Sequence, residues 1–319
     1  CISVARRSKF AKASKLYNLM CVDEVRSDGE IHARVRVNPE LQNVKQSLHG
    51  GAAALIVDEL TTASIMSQRM FPGVSVSMSL QYLNGCKPNA IVSVRTRIVR
   101  KGLRIVHTDA EFTDTETGEV LIRGSHVKFC ESPGSTKPFF NWVRSSIIEF
   151  FWETFFSKNH PVLLTALPSS KQNPHPPFTS QEKKQYYVSL GSGSKLVGFD
   201  QTFESAGLKA IGDGTFVLEL SQNAANPHKS LHGAATATLI DIVGSAAIAS
   251  HTSGAGCGVT THLELTYGAA GKGAVTFTTR MLHLGRVLAT VGVDARDSRG
   301  RLVAHGTITK YGQYKEAKL

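Results

Sequence analysis

The stretch "SLHGGAAALIVDEL", residues 47–60, places His-Gly-Gly in front of an apolar run and sets one acid, Asp58, inside that run. The chain repeats the arrangement at residues 230–243, "SLHGAATATLIDIV", where Asp241 follows His232 by nine positions, as Asp58 follows His49. Apolar runs this continuous predict helices that are covered on most sides. An acid carried twice at the same place in such a helix indicates a functional site.

The two stretches belong to a repeat that covers most of the chain. A shift of 183 residues superimposes the first half on the second through the His-Gly stretch, two inserted residues bring Ser75 and Tyr82 into register, and short gaps further on do the same for Lys128. So many coincidences with so few gaps indicate a duplication. The matched pairs include Asn43 with Asn226, Gly50 with Gly233, Asp58 with Asp241, Ser75 with Thr260, Tyr82 with Tyr267, and Lys128 with Lys310.

Each copy has the same order of elements. A strand of alternating apolar residues leads through a loop into the His-Gly helix, and β-branched segments with glycine-bearing turns follow it. These segments predict antiparallel hairpins. One long buried helix followed by four or five strands is an α+β domain. We therefore predict an N-terminal domain at residues 1–130, an insert at 131–189, and a C-terminal domain at 190–319.

The insert has no counterpart elsewhere in the chain. Residues 139–156 lie in "PFFNWVRSSIIEFFWETFF" and predict a helix, and a proline-rich tether follows them. The aromatic stripe of this helix fits three roles: packing on the protein's own surface, self-association or docking to a partner protein, or lying on a membrane surface. Charged residues within it, and the absence of any long uncharged apolar stretch elsewhere, predict that no segment spans a membrane.

The formal charge of +11 is high for a chain of 319 residues. It fits nucleic acid, an anionic membrane, a phosphate-bearing small molecule, or a basic compartment. Nucleic acid is disfavoured, because no block of basic residues alternates with aromatic ones. Five scattered cysteines without a CxxC pair predict neither disulfides nor a metal site, and favour a reducing interior.

The first 22 residues contain five basic residues and no acid. This composition is typical of the remnant of an organelle-targeting segment, which predicts the mitochondrial matrix as the location and the cytoplasm as the alternative. A solvated basic helix explains the same residues.

The spacing within one helix separates its functional groups. The backbone N–H of Gly50 and the carboxylate of Asp58 lie about 12 Å apart along the helix axis and on opposite faces. One copy therefore cannot both hold a carbonyl group with its helix N-terminus and attack it with its own acid. Two antiparallel helices can, because the N-terminus of each lies near the middle of the other. Burial should raise the pKa of Asp58 and Asp241 and make them stronger bases.

Both copies resemble the hotdog-fold acyl-CoA thioesterases of the phenylacetate-pathway and thioesterase superfamily member 2 type. The shared motif is Asn-x5-His-Gly-Gly, an aspartate nine residues after the histidine, and Gly-Val-Ser-Val beyond the helix. The resemblance covers about residues 10–130 and 190–319. It implies a pseudo-dimer of two hotdog domains in one chain that hydrolyses acyl-CoA, with coenzyme A as part of the substrate and with no cofactor or metal.

The resemblance also implies roles for particular residues. The asparagine and the first glycine of one copy would polarise the thioester carbonyl, while the aspartate and the hydroxyl of the other copy would position water or attack. We therefore expect two composite sites. One would combine Asn43 and Gly50 with Asp241 and Thr260, and the other Asn226 and Gly233 with Asp58 and Ser75.

Further residues have supporting roles in this interpretation. His49 and His232 are expected to organise their loops through ring hydrogen bonds. The basic residues expected to meet the phosphates of coenzyme A are Lys128, Lys310, Arg104 and Arg286.

The second copy departs from the motif, with Ala234 in place of Gly51 and Thr260 in place of Ser75. A methyl group on Ala234 near the substrate would make the Asp241 site the more active one.

Two other functions fit the same pattern. A duplicated enzyme fold can serve as a catalytically silent subunit of a large mitochondrial assembly, which would suit the aromatic insert and the basic charge. Binding of acyl-CoA without turnover is the third function. The catalytic residue types retained in both copies favour hydrolysis.

Overall fold

A computed structural model describes residues 10, 14, 16–68, 70–130, 167, 169–173, 176–190, 196–212, 214–226, 228–252 and 256–314. Each half of the chain contributes one long helix and six strands to this structure. The sequence predicts one strand before the helix of each copy and four or five after it, whereas the structure has two before and four after. The additional strand before each helix is an edge strand of the sheet, at Met20–Val25 or Lys209–Gly212. The predicted helix at residues 139–156 lies outside the described residues.

The helices and strands of the two copies follow one another in the same order. The first copy contains β1 (Met20–Val25), β2 (Ile31–Arg36), α1 (Gly50–Ser67), β3 (Val74–Tyr82), β4 (Ile91–Lys101), β5 (Ile105–Asp114) and β6 (Val120–Phe129). Helix α2 (Ser180–Val188) precedes the second copy. That copy contains β7 (Lys209–Gly212), β8 (Thr215–Glu219), α3 (Gly233–His251), β9 (Val259–Tyr267), β10 (Ala274–Leu284), β11 (Leu288–Asp297) and β12 (Leu302–Tyr311).

All strands form one 12-stranded antiparallel sheet in the order β1-β2-β4-β5-β6-β3-β9-β12-β11-β10-β8-β7. This order reads the same from both ends when each strand is exchanged for its counterpart, so the two copies are related by a pseudo-two-fold axis. Strands β3 and β9 meet at the centre, with Ser79 opposite Glu264. This pairing covers the edge that each copy would otherwise expose. The predicted pair of hotdog domains in one continuous sheet is confirmed.

The two long helices fill the concave side of the sheet and are buried on nearly every face. Their axes run antiparallel, because Gly50 at the start of α1 lies beside Asp241 and Gly233 at the start of α3 lies beside Asp58. The close contact between them is at Gly51, where an added Cβ would overlap the side chain of Thr238. Glycine at this position lets the helix backbones approach.

The expected effect of Ala234 on the substrate is wrong. Its methyl group is fully buried, and the residue lines neither of the two site cavities. The second helical position of each copy faces the core, so the exchange of Gly51 for Ala234 alters the packing of the core and not the carbonyl end of a site.

Helix α2 lies within the predicted insert and packs on α3. A capping box fixes its start: the Thr179 hydroxyl accepts from the N–H of Glu182, and the Glu182 side chain accepts from the N–H of Thr179. The segment before α2 also touches the first copy, where the N–H of Phe178 donates to the carbonyl of Val44 at 2.8 Å. The predicted boundary at residue 189 thus follows a helix that connects both copies.

Within the described residues, Gly233–His251 is the one helix long and apolar enough to cross a membrane by composition alone. This helix is α3, and 89% of its most apolar window is buried inside the protein. The position of α3 in the core therefore explains its length and its apolar composition.

The Gly51 contact generates the first prediction. Replacing Gly51 with Ala should lower the free energy of unfolding by about 1–3 kcal/mol, because the methyl group overpacks against Thr238. The converse change, Ala234→Gly, removes a methyl group where one fits, and should cost about 1 kcal/mol or less. Urea unfolding of both variants checks the pair. An unchanged or stabilised Gly51→Ala protein would contradict this packing.

Candidate active sites

A histidine caps the N-terminus of each long helix. The Nδ1 atom of His49 accepts from the N–H of Gly51 at 2.9 Å, and that of His232 accepts from the N–H of Ala234 at 3.2 Å. In the described part of the chain, the first N–H of each helix, on Gly50 and on Gly233, donates to no other group. Each helix thus presents one open donor at the positive end of its dipole.

The loop before each cap is organised by its asparagine. The Oδ1 atom of Asn43 accepts from the main-chain N–H groups of Lys45 and Ser47, at 2.8 and 3.3 Å. In the second copy, Oδ1 of Asn226 accepts from the N–H groups of His228 and Ser230 in the same way, at 3.0 and 3.1 Å. Both asparagines line a cavity. Their Nδ2 atoms form no hydrogen bond with any described residue, which leaves a second donor in each loop.

The Asp241 cavity, of about 340 Å³, lies where the start of α1 meets the middle of α3. The Thr260 hydroxyl donates to Oδ1 of Asp241 at 2.8 Å. Lys310 lies 3.3 Å from the same carboxylate oxygen and donates to the Thr260 hydroxyl at 2.8 Å. The other carboxylate oxygen lies 2.9 Å from where a Cβ on Gly50 would be. The residues that line this cavity include Asn43, Gly50, Asp241, Thr260 and Lys310.

The Asp58 cavity, of about 290 Å³, is the pseudo-symmetric counterpart at the start of α3. Lys128 donates to Oδ1 of Asp58 at 3.2 Å. Ser75 is held differently from Thr260: its hydroxyl is hydrogen-bonded to Nε2 of His126 at 2.9 Å and not to the aspartate. The residues that line this cavity include Asn226, Gly233, Asp58, Ser75 and Lys128.

The two aspartates are more acidic than expected from burial. Burial alone would raise the pKa of Asp58, but the ammonium group of Lys128 beside it holds the pKa well below the usual range of an aspartate. Lys310 lowers the pKa of Asp241 against the same effect of burial. The predicted raised pKa values are therefore wrong, because each buried acid has a buried lysine as its counter-ion.

The arrangement can polarise a carbonyl group from one copy and bring a carboxylate with a hydroxyl to it from the other. The thioesterase superfamily model matches the chain twice, over residues 45–121 and 228–304. Acyl-coenzyme A thioesterase 13 of Mus musculus is 30% identical over 95 residues, which are 30% of this chain and 68% of that protein. The chain belongs to the thioesterase superfamily.

Two further comparisons agree with this membership. Acyl-coenzyme A thioesterase 13 of Homo sapiens is 29% identical over 101 residues, 31% of this chain and 72% of that protein. A protein with a hot dog fold from Alicyclobacillus acidocaldarius superimposes with a TM-score of 0.54 at 14% identity, over 96% of this chain and 99% of that one. That likeness concerns the fold alone, and it extends over both copies of this thioesterase-superfamily chain.

The structure does not place the four expected basic residues at a phosphate site. Lys128 and Lys310 are buried, with exposed fractions of 4% and 3%, and face the aspartates. Each lies on the last strand of its copy in register with the hydroxyl residue, Lys128 opposite Ser75 and Lys310 opposite Thr260, so both point toward the helix. Arg104 and Arg286 are exposed and line neither cavity.

Tyr82 and Tyr267 are site residues to which the sequence interpretation gives no role. Their hydroxyls donate to the carbonyls of Gly50 and Gly233, at 2.9 and 3.0 Å. These bonds fix the first turn of each helix against β3 and β9. Tyr82 and Tyr267 occupy matching positions in the repeat, and this match is the feature of the sequence that could have identified them.

Asp200 contacts the site residue His49, and no repeat or motif in the sequence indicated this role. Its Oδ1 atom lies 3.0 Å from Nε2 of His49, and its Oδ2 atom accepts from the Tyr186 hydroxyl at 2.8 Å. Burial would lower the pKa of His49, but the carboxylate of Asp200 raises it above the ordinary value. In the second copy, burial lowers the pKa of His232, although Glu59 lies 3.6 Å from its Nε2 and Asp58 lies 3.6 Å from its Nδ1. The two caps are therefore electrostatically unequal.

The lysine counter-ions generate a prediction on pH. In an Asp58→Asn background, which leaves the Asp241 cavity as the working site, Lys310→Met removes the main counter-ion of Asp241. Burial then raises the pKa of Asp241, so a reaction that needs the ionised carboxylate is lost at a higher pH as the solution is acidified. The acid limb of the kcat/KM profile should move upward by about one pH unit or more. Lys209→Met, at an exposed lysine on β7, is the control. An unmoved acid limb in Lys310→Met would refute the ion-pair assignment.

Proposed function

We propose that the chain hydrolyses acyl-CoA thioesters at two composite sites, the Asp241 cavity and the Asp58 cavity. The observation that carries the proposal is the meeting of an open helix N-terminus from one copy with an ionised, buried carboxylate from the other. The similarity to acyl-coenzyme A thioesterase 13 supports acyl-CoA as the substrate class.

In the Asp241 cavity, the thioester carbonyl oxygen accepts hydrogen bonds from the N–H of Gly50 and from Nδ2 of Asn43. These donors and the dipole of α1 stabilise the negative charge that develops on this oxygen as the carbonyl carbon is attacked. As the cap of α1, His49 leaves the N–H of Gly50 open, because its Nδ1 atom accepts a hydrogen bond from the N–H of Gly51 instead.

The carboxylate of Asp241 accepts the proton of a water molecule, and the water oxygen adds to the carbonyl carbon. The tetrahedral intermediate then expels the coenzyme A sulfur, which receives that proton, so the products are a carboxylic acid and the free thiol. Thr260 orients the carboxylate by donating to Oδ1, and Lys310 keeps it ionised. A low pKa makes Asp241 a weak base that is fully in its active form at neutral pH.

In the Asp58 cavity, Gly233 and Asn226 supply the donors and Asp58 accepts the proton. Ser75 contacts the incoming water here, and His126 positions Ser75. Burial and the neighbouring Lys128 lower the pKa of His126 to about 3, so the ring is neutral and can share one proton with the serine hydroxyl. We expect the Asp241 cavity to be the more active, because three of the residues that line it are lysines and coenzyme A is anionic.

Substitution of the aspartates tests the function. Release of the free thiol from acyl-CoAs of several chain lengths should fall by about a thousandfold in the Asp58→Asn, Asp241→Asn double variant, because both bases are lost. Asp241→Asn alone should lower kcat more than Asp58→Asn alone. Asp109→Asn, in an exposed pair with Arg97, is the matched control.

The two alternative functions, acyl-CoA binding without turnover and a catalytically silent structural subunit, give different results in the same assay. Acyl-CoA binding to the wild-type protein without thiol release identifies a binding protein. Neither binding nor release, in a folded protein, identifies a structural subunit. An active wild-type protein whose double variant retains full activity would remove the aspartates from the mechanism.

A further inference from the structure

Lys183 is a buried cation to which the proposed reaction gives no role. It lies on α2, has an exposed fraction of 6%, and lines the Asp241 cavity. Its Nζ atom donates to the carbonyl of Gly258 at 2.6 Å. Within the described residues, no carboxylate lies within ion-pair distance of it. An ammonium group removed from water without a counter-ion is costly, and burial lowers the pKa of Lys183 for this reason. An anionic group bound in the cavity would supply the missing charge.

Helix α2 holds Lys183 firmly in this position. The Thr179 capping box fixes the start of the helix, and the Tyr186 hydroxyl donates to the buried carboxylate of Asp200. Lys184, the next residue, donates to the carbonyl of Thr252. Tyr187, one turn after Lys183 on the same face of the helix, also lines the cavity. The ammonium group is therefore placed by packing and not by a flexible loop.

The two cavities differ in charge, and Lys183 on α2 contributes to the difference. Three lysines and one aspartate line the Asp241 cavity, and Lys45, Lys183 and Lys310 are the lysines. One lysine, Lys128, and two acids, Asp58 and Glu59, line the Asp58 cavity. Since Lys310 neutralises Asp241, Lys45 and Lys183 leave an excess of positive charge in the first cavity, whereas Glu59 leaves an excess of negative charge in the second.

We propose that Lys183 is a specificity-determining residue of the Asp241 cavity, which binds an anionic group of the substrate, a carboxylate or a phosphate, against helix α2. The inference rests on the proposed hydrolysis of acyl-CoA and adds to it the substrate class. A carboxylate comes from an acyl chain that ends in a second acid group, and a phosphate comes from coenzyme A. The Asp58 cavity has no equivalent cation among its described lining residues and does not share this preference.

The experiment measures KM for four thioesters in an Asp58→Asn background, in which the Asp241 cavity is the working site. The substrates are hexanoyl-CoA, adipoyl-CoA, and the N-acetylcysteamine thioesters of the same two acids, which carry no phosphate. Lys183→Met is compared with Lys209→Met, at the exposed lysine on β7. The thermal midpoint of Lys183→Met should be no lower than that of the parent, because an unpaired buried charge is removed.

The two sources of the anion, the acyl chain and coenzyme A, predict different changes in KM across the four thioesters. If Lys183 binds an acyl carboxylate, Lys183→Met should raise KM about tenfold for both adipoyl thioesters and leave both hexanoyl thioesters unchanged. If it binds a phosphate, KM should rise by the same factor for both CoA thioesters alone. In either case Lys183→Arg should recover part of the loss, and kcat should change less than about twofold.

Three results would overturn the inference while hydrolysis itself stands: four unchanged KM values, a rise for all four substrates, or an equal effect of Lys209→Met. If the wild-type protein hydrolyses none of the thioesters, the proposed function fails separately. Calorimetric binding of coenzyme A and adipoyl-CoA then replaces KM. Lys183→Met should weaken one or both about tenfold, and equal affinities, or no binding to the wild-type protein, would overturn the inference.

Discussion

The antiparallel contact between α1 and α3 is the constraint on which the sites of this protein depend. Gly51 has no room for a side chain against Thr238, so the helices approach closely and the start of each reaches the middle of the other. Neither cavity is complete within one copy. The open helix N-terminus comes from one half of the chain and the carboxylate from the other. Duplication within one chain makes this meeting intramolecular, so it does not depend on protein concentration.

Each copy neutralises its own acid. Asp241 lies on α3 and Lys310 on β12, and Asp58 lies on α1 and Lys128 on β6, so each ion pair is formed within one copy. The cost of burying a charge in the apolar helix is thereby offset before the copies meet. What the other copy adds is a glycine N–H, an asparagine amide and a histidine cap. One copy therefore stabilises the buried acid, and the other copy brings the groups beside which the acid is proposed to act.

The repeat and the helix spacing were sufficient to predict two domains with antiparallel helices, because a period of 3.6 residues fixes which groups share a face. The hotdog fold of each domain was implied by the family resemblance. The same spacing could not show that Lys128 and Lys310 face inward, since strand register depends on tertiary pairing. Asp200 and Lys183 lie in a segment without an equivalent motif in the first copy. Their placement depends on α2 packing on α3, a long-range contact with no periodic signal. The two cavities differ in the lysines and acids that line them and not through Ala234, which lines neither cavity.

The composite origin of the sites is tested most directly by pairing Asp241→Asn with one asparagine change at a time. If each site combines both copies, Asp241→Asn with Asn43→Ala damages one cavity twice and leaves the turnover of the Asp58 cavity. Asp241→Asn with Asn226→Ala damages both cavities and should reduce thiol release from acyl-CoA by a further tenfold or more, about the cost of one oxyanion donor. The opposite ranking, with activity surviving in the Asp241→Asn, Asn226→Ala protein and lost in the Asp241→Asn, Asn43→Ala protein, would show that each copy works alone.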